Sequence, residues 1–199
     1  MSLLVETIKV EDGKPLNISL HNERMNRTLF DLFRKKIPVD LEEIIEVPQY
    51  ALKGAYKCRV IYDEKKYDIE FTQYSIRQVR SLKLVYDDNI SYSYKYTDRT
   101  NILRLFDLRK GCDDILIIKN GMVTDCSYAN VILRDLNGKW VTPSTYLLKG
   151  TRRSHMLNNR FVSEKDIRVS DLNLYTEVRL INAMMGIEDS ESIPVTELF

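Results

Sequence analysis

Histidine is nearly absent from this chain: His21 and His155 are the two among 199 residues. That argues against a histidine-rich metal centre and leaves few candidates for a serine–histidine triad. Cysteine is scarce as well. Cys58, Cys112 and Cys126 are odd in number and lack metal-ligand spacing, so they read as the reduced thiols of a cytosolic protein. Neither sign of charge is in excess, with 30 Lys and Arg against 29 Asp and Glu for a formal net charge of +1. No global electrostatic argument therefore favours nucleic acid or a membrane surface. No apolar run approaches the about eighteen residues of a membrane span. The opening residues lack a charged leader followed by an apolar core, so no signal peptide is expected and the expected location is the cytoplasm. Repeats, low-complexity tracts and flexible linkers are missing too.

What is present suits a packed core: 44% of residues are hydrophobic and 30% charged, enough for one large domain or two small lobes. Asp12-Gly13 between apolar runs marks a hairpin joining strands at 3–10 and 15–20. Over 22–36, Met25, Leu29, Phe30, Leu32 and Phe33 recur at spacings of three and four, which predicts an amphipathic helix ended by Pro38. Asp40 can cap a short helix through Ile45. Strands follow at 58–62 and 67–74 around a charged turn, and at 81–86. A helix at 101–109 is stopped by Gly111. Beyond it come strands at 114–119, 131–134 and 140–142, with Asn120-Gly121 and Asn137-Gly138 as hairpin turns. A loop at 143–148, a helix from 151 to about 161, a strand at 167–169, a short helix at 171–175 and a strand at 177–182 complete the order. The fold class is α+β in two lobes: an N-terminal α+β lobe over 1–88, and a C-terminal lobe of short strands with helices over 89–199.

Two segments carry chemistry. Residues 91–96 alternate polar and aromatic side chains around Lys95, as a strand does when it ends at a cleft. About thirty residues later, Asp125 falls in a turn just before another apolar run. A lysine able to form a Schiff base and an acid able to hold a pyridinium nitrogen are what pyridoxal phosphate chemistry needs. A surface lysine and a turn aspartate are the plain alternative. Arg24, in the first turn of the first helix, is either an exposed helix arginine or a cleft residue placed to take a phosphate. Gly150, before a helix, either merely starts it or lets an anion approach the free amides of Thr151 and Arg152. Lys9 is more often solvated than functional, and His155 reads as a packed or surface histidine.

In order along the chain, Val5-Glu6-Thr7-Ile8-Lys9, His21 to Arg24, Lys95 with Arg99, Asp113-Asp114 through Asn130, Thr142-Pro143 with Gly150 to Arg153, and Leu180-Ile181-Asn182-Ala183 form a set. The set resembles the class IV aminotransferase family, the fold-type IV pyridoxal phosphate enzymes, and within it the aminodeoxychorismate lyase branch. The resemblance runs nearly end to end. It implies that pyridoxal 5'-phosphate lies in the cleft between the lobes and that Lys95 is the Schiff-base lysine and proton shuttle. Arg24 and the amides of Thr151 and Arg152 at Gly150 would bind the phosphate, and Asp125 the pyridine nitrogen. Asn182 and Ala183 would line the phosphate side, and Lys9 would meet a substrate carboxylate. It also implies a homodimer acting on a small amino substrate. The leading activity is loss of pyruvate from 4-amino-4-deoxychorismate to give 4-aminobenzoate for folate biosynthesis. A branched-chain or D-amino acid aminotransferase, and a non-catalytic relative that kept the fold, stand as alternatives.

Four departures from the family pattern accompany the resemblance. Asp125 stands where glutamate is usual, Ala183 replaces a hydroxyl residue, Thr100 occupies the place of an aminotransferase tyrosine, and the chain begins at the "FETIR"-like strand. For the cofactor's phenolate oxygen, Tyr92, Tyr94, Tyr96 and Tyr128 are candidates. Tyr94 and Tyr96 point away from Lys95 if the strand is regular.

Overall fold

The computed structural model describes residues 3–199, and its packing divides the chain into two units. The first unit holds the residues up to Ser75 together with Tyr94–Asp98. It contains β1 (Leu4–Glu11), β2 (Lys14–Pro15), α1 (Ile18–Phe33), α2 (Leu41–Ile44), β3 (Ala55–Tyr62) and β4 (Tyr67–Gln73). The strands form an antiparallel sheet in the order β2-β1-β3-β4. Successive side chains of a strand alternate between faces, so Leu4, Ile8 and Val10 of β1 join Cys58, Val60 and Tyr62 of β3 in one core with Met25 and Leu29 of α1. The β1–β2 turn is the Asp-Gly hairpin expected, with both residues at positive φ (47° and 78°). The returning strand is shorter than expected because α1 begins at Ile18, entered through Asn17 at φ 54°. Asp40 does cap α2, accepting from the Glu42 N–H.

The second unit comprises Ile76–Ser93 and Arg99–Phe199. Its elements are β5 (Leu82–Tyr86), α3 (Thr100–Phe106), β6 (Asp114–Lys119), β7 (Met122–Cys126), β8 (Asn130–Asp135), β9 (Trp140–Pro143), α4 (Thr151–Asn158), β10 (Ser163–Lys165), β11 (Tyr175–Ile181) and β12 (Ile193–Pro194). The sheet runs β10-β9-β8-β7-β6-β5, with β11 pairing β8 and β12. Val123, Val131, Leu133, Val178 and Leu180 lie in its core.

Three differences from the sequence reading have local causes. The division does not fall once near 87–91. β5 pairs in parallel with β6, which draws 76–93 into the second unit, while Tyr96 bridges Leu4, which draws 94–98 into the first. Asp125 is inside a strand rather than a turn, because the Asn120-Gly121 hairpin folds 122–126 back along β6. Residues 167–169 form no strand; instead the Ile167 carbonyl accepts from the Val123 N–H, and a short 3-10 helix runs Val169–Leu174. No helix among the described residues is long and apolar enough to cross a membrane.

Candidate active site

In the first unit, the segment carrying Lys95 is laid along the start of β1. The Val5 N–H donates to the Lys95 carbonyl at 2.9 Å, and the Thr97 N–H to the Leu3 carbonyl at 2.8 Å. Backbone bonds on both sides of the half-buried Lys95 fix where its side chain starts. Tyr94 and Tyr96 pack on the unit's core with their rings edge to face at 6.2 Å. The Tyr94 hydroxyl donates to Asp31.

Beneath this segment lies a buried ionic cluster. Arg24, on the inward stripe of α1, donates from Nε to Glu6 Oε1 at 2.8 Å and from Nη2 to Glu6 Oε2 at 2.5 Å. His21 Nδ1 lies 2.6 Å from Glu6 Oε2. Glu6 is 0%, His21 1% and Arg24 7% exposed, so the exposed-helix reading of Arg24 does not hold. Burial alone would push the Glu6 carboxyl up, but Arg24 and the His21 bond outweigh it and hold the group down at about 2. His21 is pushed below its ordinary range, chiefly by burial and with the Arg24 and Lys95 charges acting the same way. Lys9 lies one face away from Glu6 on β1, paired with Glu11 at 3.0 Å.

In the second unit, Asp125 on β7 is 5% exposed. Its Oδ1 accepts from Asn130 Nδ2 at 2.8 Å, and its Oδ2 from the Leu147 and Leu148 N–H groups at 2.9 and 3.0 Å. Burial raises its pKa to about 6, against the pull of those bonds. Asn130 also donates to the Leu148 carbonyl at 2.9 Å. A Cβ on Gly150 would sit 1.9 Å from Asn130 Oδ1, so only glycine fits at the entry to α4. The N-cap residue Gly150 has no side chain to cap α4 and no acid lies in the helix's first turn, so the positive helix end suits an anion.

Around that helix end, Thr151 is buried and Arg152 half-buried, the Arg152 Nε having no hydrogen-bond partner among the described residues. Arg152 Nη2 lies against Gly186, where a Cβ would approach it to 2.2 Å. Arg153 instead ties the scaffold together, donating to the Pro143 carbonyl and to Glu164 under the Tyr146 ring. Asn182 turns the chain after β11, its Oδ1 accepting from the Met184 N–H at 2.8 Å, with Ala183 half-buried beside it.

Residues 3–193 match the amino-transferase class IV family. The chain belongs to the class IV aminotransferase family. An uncharacterised protein of Haemophilus influenzae is 39% identical over 186 residues, covering 92% of this chain and 98% of that one. The crystal structure of a provisionally named 4-amino-4-deoxychorismate lyase of Haemophilus somnus superposes with a TM-score of 0.87 at 37% identity, covering 94% of this chain and 98% of the other. A hypothetical aminotransferase of Mycobacterium tuberculosis in its pyridoxal-phosphate-bound form shares the fold at TM-score 0.73 and 17% identity, covering 96% and 80%. The fold is therefore that of the fold-type IV enzymes, as expected.

Taken separately, each unit of this class IV aminotransferase relative has groups that suit parts of pyridoxal phosphate. In the first, a fixed arginine suits a phosphate dianion; in the second, a helix end with a side-chain-free entry suits an anion and a buried acid suits a pyridinium nitrogen. Glu6, His21 and Asn130 fall within the sequence motifs, but their residue types alone assign them no role. A glutamate in phase with Leu4, Ile8 and Val10 is the sign that could have marked Glu6. Asn130 stands directly opposite Asp125 in the β7–β8 register, a pairing that follows only once 122–126 is a strand rather than a turn.

Proposed function

We propose that this chain binds pyridoxal 5'-phosphate and eliminates pyruvate from 4-amino-4-deoxychorismate, yielding 4-aminobenzoate. The observation that carries the reading is the 37% identity over nearly the whole of both chains to the provisionally named lyase. The site chemistry supports it. When bound, the cofactor supplies an electron sink for charge developing on the carbon beside the substrate nitrogen. Lys95 Nζ takes the proton from that ring carbon and returns one to the departing enolpyruvyl group, so the ring gains aromaticity as pyruvate leaves. Arg24 and the Thr151 and Arg152 amides hold the phosphate, Asp125 keeps the pyridine nitrogen protonated, and Asn182 and Ala183 line the phosphate side. Lys9 meets a substrate carboxylate. A cytoplasmic homodimer completes the reading.

The test begins with the visible spectrum of purified protein given pyridoxal phosphate. A violet-region band that borohydride abolishes and Lys95→Ala lacks is expected. Pyruvate and 4-aminobenzoate should then appear from 4-amino-4-deoxychorismate. A band without these products, but with amino transfer between an amino acid and 2-oxoglutarate, would establish the aminotransferase instead. No band would leave a non-catalytic relative.

A further inference from the structure

Glu6 and His21 take no part in the reading above, yet they are among the most thoroughly buried polar groups in the chain. A carboxylate on the core face of a strand is costly unless it is paired, and here the pairing is geometrically specific. Both Glu6 oxygens engage Arg24 through two different nitrogens, which fixes the plane of the guanidinium as well as its position. His21 Nδ1 lies 2.6 Å from Oε2, the oxygen that Arg24 Nη2 also meets, and adds a second side chain to hold the carboxylate.

We propose that Glu6 is the positioning residue for Arg24, presenting its guanidinium already ordered to the cofactor phosphate, with His21 fixing Glu6 in turn. The inference rests on the reading of Arg24 as a phosphate ligand. A pre-ordered cation saves the ordering entropy that a long side chain would otherwise lose on binding. His21 suits the supporting place because a neutral imidazole donates to Glu6 without adding positive charge. The charged and titratable groups facing it are Glu6 from β1, Arg24 from its own helix and Lys95 from the segment on β1. Tyr62 of β3 faces Glu6 and Arg24 from the opposite strand.

A purely structural ion pair would stabilise the protein without distinguishing ligands, and this separates the two roles. Cofactor-free protein is titrated with pyridoxal phosphate and with pyridoxal, which has the same aldehyde and ring but no phosphate, and followed by visible absorbance. Wild type should prefer the phosphorylated form, and Arg24→Gln should lose most of that preference. Glu6→Gln should weaken pyridoxal phosphate by about tenfold or more while changing pyridoxal less than about twofold. Adding Glu6→Gln to Arg24→Gln should remove no further preference. Glu6→Asp keeps the buried charge but retracts it from Arg24, and should lose preference several-fold, which serves if the glutamine variant does not fold. Equal weakening of both aldehydes by the Glu6 variants, or no change in either, overturns the proposal. A wild type that shows no phosphate preference, or an Arg24→Gln that keeps it, overturns instead the reading of Arg24 and the proposal with it.

Discussion

At the scale of single residues, Asp125 makes a pH prediction whose sign follows from its burial. The ordinary aspartate value is 3.8 and the folded value about 6, so between these the native chain retains a proton that the unfolded chain has released. Its contribution to stability is therefore present at low pH and is lost as pH rises from about 4 to about 6, amounting to about 3 kcal/mol at most. Asp125→Asn removes that titration. Urea unfolding of both proteins across pH 4 to 7 should show the difference shifting toward the variant through this window and levelling above it. A constant difference would mean that Asp125 titrates normally. A pyridinium nitrogen beside the carboxyl favours its charged form, so bound cofactor should move the window to lower pH.

Gly150 makes a second residue-scale prediction. Its φ of −71° is open to any residue, so the constraint is space alone. Gly150→Ala places a methyl group on Asn130 Oδ1 and should cost about 1–3 kcal/mol by overpacking. Asn130→Ala in the same chain removes the obstruction, so the double variant should be more stable than the two single losses added together. Simple additivity in denaturant unfolding would show that α4 shifts freely and that Asn130 does not police its entry.

At the scale of elements, the stability of the second unit centres on β8, whose Leu133 faces Val141 on one side and Val178 on the other. Leu133 is 0% exposed, and Leu133→Ala should cost about 2–5 kcal/mol through lost burial and the cavity left behind. Urea midpoints measure it, and a cost below 1 kcal/mol (about the value of one buried methylene) would mean that the sheets collapse around the gap. The elements legible in the sequence are those specified by local chemistry. The Asp12-Gly13 and Asn120-Gly121 turns demand positive φ, the inward stripe of α1 repeats at helical spacing, and Asp40 caps α2 through its own side chain. What escaped the reading depends mostly on distant partners. The parallel pairing of β5 with β6 and the return of 94–98 to β1 are set by registers between segments far apart in sequence, whereas Asn130 faces Asp125 from only five residues on and was hidden because Asp125 reads as a turn residue rather than a strand one. Lys95, Asp125 and Gly150 stand out as candidates in the sequence by motif and residue type. Glu6 does not, because a charged residue within an apolar strand looks like an interruption until α1 delivers Arg24 to it.

At the scale of the whole molecule, the proposed function draws candidate residues from each unit. Lys95 and Arg24 belong to the first unit, Asp125 and the start of α4 to the second. A ligand that binds only the folded chain raises its stability by RT ln(1 + [L]/Kd), about 2.7 kcal/mol at a hundredfold excess over Kd. Pyridoxal phosphate should therefore raise the thermal midpoint of the wild type, in a dose-dependent way. Loss of the amine proposed to form the Schiff base, in Lys95→Ala, should shrink that rise sharply. Loss of the acid in Asp125→Ala should shrink it independently, since the two changes touch different ends of the cofactor. The comparison is made within each protein, with and without cofactor, so the intrinsic destabilisation of either variant cancels. If Lys95→Ala abolishes the rise while Asp125→Ala leaves it untouched, the second unit's acid is serving the fold through Asn130 and the 147–148 amides, and the pyridine nitrogen is held by another group.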